Sequence, residues 1–367
     1  MFFRVVNALV ASLLLTVSLP AASPVTRSEF IYRKAAFEQC HASTIVETRD
    51  GTLVAAWFGG TREGQKDVSI WLSRRQKPGW SDPVRVADGV QSPKLRYPCW
   101  NPVLFQPRTG PLMLFFKVGP SPSRWWGEWM TSSDAGKTWT SPRRLPAQGI
   151  GPVKNKPIQL ADGTIWCGSS TEHDGWQVHL ERTTDLGKTW SRLGPFCDGK
   201  KIAAIQPSLL LYDNGRRWQM LCRNRDGQGD VWSTWSEDGG RTWSRFEATG
   251  LPNPNAGTDA VTLRDGTQLL VYNHTNRRGE FPSNRNMLNV ATSRDGRNWS
   301  AALLLERDQG EYSYPAVIQA RSGAVHITYT WRRQSVRHVV LDPKRLTGKP
   351  IRNRRWPAKV WKLRPVR

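Results

Sequence analysis

Residues able to do chemistry recur at comparable places along this chain. Six polar or aromatic side chains each open a short apolar segment: His41, Asn101, Lys156, Gln206, Asp259 and Tyr314. An imidazole titrates near neutrality, so His41 is a candidate acid/base group or, more plainly, a hydrogen-bond partner for hydroxyls. Asn101, Asn255 and Asp259 carry hydroxyl-binding chemistry. Glu63, beside Arg62, and Asp67 could form an acid/base pair, or could be engaged in surface salt bridges with Arg62 and Lys66. Lys117, Lys154 and Lys156 would add positive charge to a site. Trp57, Trp100, Trp125 and Trp126 have flat faces that could stack on sugar rings, although internal packing is the usual role of a single tryptophan. His173, His179, His274, His326 and His338 show no metal-ligand spacing. The five cysteines are odd in number and form no CxxC. No metal, cofactor or disulfide scaffold is therefore expected.

These residues are far apart in sequence, so a repeating framework must bring them together. One short pattern, S/T-x-D-x-G-x-T-W, supplies it. It runs from Ser132 to Trp139, from Thr183 to Trp190 and from Ser236 to Trp243, and one residue shorter from Ser293 to Trp299. A decayed copy spans Ser73 to Trp80. Its aspartates are 51, 53 and 57 residues apart. The physics is that of a tight turn: Asp and Ser/Thr side chains bond nearby amides, glycine takes a positive φ, and the tryptophan packs back over the hairpin. Each box has too few acids for a calcium loop. The apolar segments form a second repeat, out of phase with the first. Each runs into a turn at Asp50-Gly51, Thr109-Gly110, Asp162-Gly163, Asn214-Gly215, Asp265-Gly266 or Ser322-Gly323, and a further apolar strand follows. One unit thus reads strand, turn, strand, loop, strand, box, strand. Six such units predict an all-β, six-bladed propeller over 24–342. In such a ring the innermost strands begin near the axis on one face, where the six opening residues would converge.

Residues 1–23 have a basic residue, Arg4, then an apolar run and small residues, the order of a secretory signal peptide. Export to the periplasm or beyond is expected, with no membrane span after cleavage and a monomeric chain. With 53 Lys+Arg against 30 Asp+Glu the net charge is +23, and residues 343–367, read as a basic C-terminal tail, hold ten of the cations. No nucleic-acid motif accompanies that charge, so an acidic glycan is the expected partner rather than nucleic acid.

The boxes, the propeller and the polar strand starts together resemble the sialidase superfamily, along nearly the whole chain after residue 23. Segments such as CHASTIVE, AAWFGGTREG, WNPVLF, GPVKNKP, IQPSLL, LPNPNAGTDAV and YSYPAVIQ resemble a sialidase-like branch found in bacteria and plants. The resemblance implies an arginine triad that binds a carboxylate, an Asp acid/base, and a Tyr nucleophile activated by a Glu. The acid/base falls on Asp67, preceded by Arg62, which with Arg223 and Arg285 would hold the carboxylate. The second triad arginine falls on Arg223, with Arg225 as the alternative, the third on Arg285, and the nucleophile on Tyr312 or Tyr314. The first triad arginine falls at His41 and the activating Glu at Gln206, which cannot act as a base. Trp100, Asn101, Lys117, Lys154, Lys156, Gln206, Asn255 and Asp259 complete the expected substrate surface. The expected activity is a glycoside hydrolase acting on a terminal acidic or uronate-linked sugar. A His41-dependent rhamnosidase or uronate lyase, or a non-catalytic glycan-binding propeller, are the alternatives.

Overall fold

The computed structural model describes residues 22–76, 78–146, 149–225 and 229–364. The segment 1–23, expected as a leader, lies outside them except for its last two residues. Six antiparallel sheets form the blades of a propeller. Blade one is Gln39–Glu47, Leu53–Gly60, Ser69–Arg74 and Val84–Ala87, from the axis outward. Blades two, three and four repeat that order from Cys99, Ile158 and Ala204.

The sequence signals act locally as expected. All six hairpin glycines, Gly51, Gly110, Gly163, Gly215, Gly266 and Gly323, have φ between 80° and 93°, which a side chain would resist. In the second box Thr183 Oγ1 donates to Asp185 (2.8 Å), Asp185 accepts from Thr189 N (2.9 Å) and Thr189 Oγ1 (2.6 Å), and Trp190 Nε1 donates to Gly187 O (3.0 Å). The boxes of blades two, four and five repeat this bonding of the aspartate. Six apolar clusters fill the six gaps between neighbouring blades. The ring is thus held by burial between sheets, each of which alone would leave a face wet.

Two features differ from the sequence expectation. The sixth blade takes its outer strand from the other end of the chain: Val25–Phe30 pairs with Ser335–Leu341 and closes the ring. VTRSEF has too little apolar alternation to announce a strand. The segment read as a tail is also joined to the propeller. Lys349–Pro350 and Trp361–Lys362 add to the outer strand Ser300–Arg307 of blade five, and Leu346, Trp361 and Leu363 pack on its core. The five cysteines are free thiols.

Candidate active site

The inner strands do more than begin near the axis; they kink there. In blades one, two, four and six the register slips by one residue at the top of the strand. The residue in each kink is left-handed: Ala42 (φ 55°), Asn101 (φ 39°), Gln206 (φ 58°) and Tyr314 (φ 49°). Blades three and five contribute Lys154 (φ 74°) and Asn255 (φ 62°) just upstream. Each such non-glycine residue costs roughly 1–2 kcal/mol, less for asparagine. One strained residue per blade, around one axis, marks this end of the channel as the site. Proline follows three of them, at Pro102, Pro207 and Pro315, which relieves the bulge of a ladder N–H.

Tyr314 is where the blades meet. His41 of blade one lies with its ring 4.0 Å from the Tyr314 ring centroid. Lys154, Arg223 and Arg285, of blades three, four and five, hold their charges 6.0, 5.5 and 5.4 Å from the same centroid. Arg223 donates through Nη1 to the Tyr314 hydroxyl and to Gln206 Oε1 (3.4 Å), and through Nε to Asn255 Oδ1 (2.8 Å). Arg285 Nη2 donates to Asn255 O (3.0 Å), so Asn255 braces both guanidiniums. Among the described residues no carboxylate lies within ion-pair distance of Arg223, which is only 7% exposed. Lys154 is buried and bonds Thr258 O (2.6 Å) and Pro315 O; burial lowers its pKa to about 7.

A second cluster lies against His41. Glu311 accepts from Arg285 (2.9 Å), Arg333 (2.9 Å) and Ser313 Oγ (2.7 Å), and Arg333 also pairs with Glu63 (2.6 Å). Burial opposes ionisation of Glu311, but the Arg285 and Arg333 guanidiniums beside it hold its carboxyl far below the usual range. Burial, aided by Arg333, pushes His41 well below its usual value against the pull of Glu311. His41 is therefore neutral at pH 7, not poised near neutrality as expected. Its Nδ1 is 3.0 Å from Thr330 Oγ1, and its buried Nε2 has no hydrogen-bond partner. Glu172, half-buried on a loop of blade three, has its pKa raised by burial, with Arg223 and Trp176 opposing.

Several sequence-expected residues lie elsewhere. Tyr312 is in the core between blades five and six, its hydroxyl 3.1 Å from Arg332 Nε, so Tyr314 alone of the pair faces the axis. Ala42, one residue beyond His41, occupies the kink position that Asn101, Gln206 and Tyr314 share. Lys117 is buried between blades and donates to Pro152 O (2.8 Å). Lys156 pairs with Asp259 (2.9 Å), which also accepts from Ser208 Oγ (3.2 Å) and Val317 N (2.9 Å). That pair ties blade three to blade five, with Lys156 also donating to Ala260 O (2.7 Å) and Asp259 buried. Trp100 donates its indole N–H to Gly119 O (2.9 Å), and Trp57 is core. Arg62 and Asp67 are exposed on the loop between Gly60 and Ser69; Asp67 accepts from Thr61 N (2.7 Å) and Oγ1 (2.8 Å). Glu172, Glu311 and Arg333 were not singled out from the sequence. They stand on loops and strand ends outside both repeats, and no spacing signal marks them.

Residues 51–327 match the family model described as a BNR repeat-like domain. No curated protein matches the sequence significantly. Among solved structures the chain is similar to a protein of unknown function from Dyadobacter fermentans, at 18% identity and TM-score 0.70, over 86% of this chain and 98% of that one. It is similar to a Hadza microbial sialidase at 16% identity and TM-score 0.68, over 84% of this chain and 66% of that one. The intramolecular trans-sialidase of Ruminococcus gnavus aligns at 12% identity and TM-score 0.66, over 89% and 99%.

Proposed function

Because the chain belongs to the BNR repeat-like family and has the six-bladed propeller of the sialidases, we propose that it is an exported glycoside hydrolase that removes the terminal sugar of an acidic glycan. One observation carries this reading: the Tyr314 hydroxyl stands at the axis, hydrogen-bonded to the buried guanidinium of Arg223. Tyr314 attacks the anomeric carbon, and Arg223 stabilises negative charge on the phenolic oxygen. Gln206 cannot take the phenol proton. His41, neutral and with Nε2 unpartnered, is the adjacent group able to accept it. Asp67 or Glu172 protonates the leaving oxygen, and burial raises the Glu172 carboxyl above its ordinary value, the direction that favours a proton donor. Arg223, which has no carboxylate within ion-pair distance among the described residues, meets the acidic part of the glycan. The apolar leader in 1–23 supports export.

The test is a panel of sialylated, uronate-capped and rhamnose-capped oligosaccharides, with products read by mass and ultraviolet absorbance. Wild type is expected to release a saturated terminal sugar from one class, and Asp67→Asn or Glu172→Gln to slow release by roughly 10²–10⁴-fold. A second reading rests on the unpartnered His41 Nε2. An unsaturated, ultraviolet-absorbing product that needs His41 but not Tyr314 would replace hydrolysis with a lyase reaction. Binding without release from any glycan would make the propeller a non-catalytic module.

A further inference from the structure

The arginines around Tyr314 and His41 differ in what already occupies them. Arg285 has Nη1 on Glu311 Oε1 (2.9 Å) and Nη2 on Asn255 O (3.0 Å). Arg333 has Nε on Glu311 Oε2 (2.9 Å) and Nη1 on Glu63 Oε2 (2.6 Å). Both carboxylate oxygens of Glu311 are thus engaged by guanidiniums, and Oε1 also accepts from Ser313 Oγ (2.7 Å). His41 Nε2 stands 3.9 Å from the same oxygen. An external carboxylate placed between these arginines would find the donors that meet there already on Glu311 and a like charge beside it.

We propose that Glu311 is a specificity-determining residue: its own carboxylate fills the anion position between Arg285 and Arg333, so the sugar seated at Tyr314 carries a neutral group there. Resting on the glycosidase reading above, this makes the substrate an aldose glycoside, with no carboxylate on its reacting carbon. The acidic part of the glycan then lies toward Arg223. A substitution that removes the Glu311 charge while keeping its shape opens the position to an external anion.

Isothermal titration with two probes, methyl N-acetylneuraminide and methyl rhamnoside, tests this on the full chain. Wild type is expected to bind the neutral probe at least tenfold more tightly than the sialoside. Glu311→Gln is expected to bind the sialoside at least tenfold more tightly than wild type does, with rhamnoside binding changed less than threefold. A wild type that prefers the sialoside overturns the proposal. So does a Glu311→Gln protein, folded by its melting curve, with no gain for the sialoside, and so does absence of binding by both probes. The wild-type comparison stands even if the variant does not fold. Failure of the glycosidase reading is read separately, as no release from any glycan by a wild type that keeps the expected probe preference.

Discussion

Tyr314 is touched by residues of four other blades, and its neighbours divide into groups that face it and groups that brace those groups. Asn255 belongs to the second kind, since its side chain holds Arg223 and its carbonyl holds Arg285. Asn255→Ala is expected to leave the melting temperature nearly unchanged and to lower kcat/KM about a hundredfold, because small misplacements of positioned groups are costly. Steady-state kinetics on the released glycan checks this, and an unchanged kcat/KM would contradict it. Tyr314 was legible in the sequence because it stands at an inner-strand start, whereas Arg223, near the end of Arg217–Asn224, and Arg285, on the loop before Met287–Ser293, were marked only by the resemblance. His41 was misplaced by one residue, since a β-bulge adds a residue that periodicity does not show. Its ionisation was misjudged as well, because exposure to water is a property of the closed ring and not of the local segment.

At the scale of elements, the Asp boxes explain why the repeat was so readable. Each is a closed local network whose residues must all be present within eight positions. Asp185 is pulled down to about 2, with burial opposing and its bonds to Thr189 and Thr183 prevailing. A depressed carboxyl contributes stability above its unfolded pKa and loses it as pH falls from about 4 toward 2. Asp185→Ala is expected to cost about 1 kcal/mol at pH 7, by chemical denaturation, and to flatten the dependence of stability on pH in that window. A variant as stable as wild type would remove the boxes from the account of the fold. Elements whose role depends on partners across the axis were less readable. Lys117, Lys156 and Asp259 look like ligand groups in sequence, but Lys117 is a strut between blades and the other two form an ion pair that joins blades three and five. A lysine bonding a carbonyl and a lysine facing a substrate have the same local sequence.

For the whole molecule, the charge of +23 is partly a consequence of how blades are joined. Arg321 of blade six donates to Arg49 O (2.7 Å) and Thr48 O (3.1 Å) of blade one. Arg264 of blade five donates to Ala320 O (2.8 Å) of blade six, and Arg74 of blade one to Ala135 O (2.8 Å) of blade two. Arg321 also pairs with Glu47 (3.5 Å), but Arg264 and Arg74 are held by carbonyls alone among the described residues, so they raise net charge without an acidic partner and without forming a binding patch. Ring closure adds a pH signature. Glu29, on the closing strand, accepts from Trp80 (3.1 Å), Arg75 (3.3 Å) and His338 (3.0 Å), which outweigh burial and lower its pKa to about 2. Burial lowers His179 and His274 to about 4 and His326 to about 3, and also lowers His41 and His338. The unfolded chain binds protons at these histidines below about pH 6.5 while the folded chain does not, so stability falls as pH drops. The melting temperature is expected to decline from pH 6.5 toward 4, a loss on the order of 5 kcal/mol by pH 5. A flat profile over that range would contradict the burial of these rings.

The claim on which the functional reading rests is that the ring converges on a reactive Tyr314. The most direct measurement is the rate of terminal-sugar release from the glycan that wild type cleaves, compared with Tyr314→Phe and Tyr312→Phe. Tyr314→Phe keeps the ring packing and removes only the hydroxyl that Arg223 holds. It is expected to lower kcat by roughly a thousandfold or more with binding of the glycan retained, while Tyr312→Phe, altered in the core, stays within about threefold. Equal rates for wild type and Tyr314→Phe would contradict the claim and leave the propeller without its nucleophile.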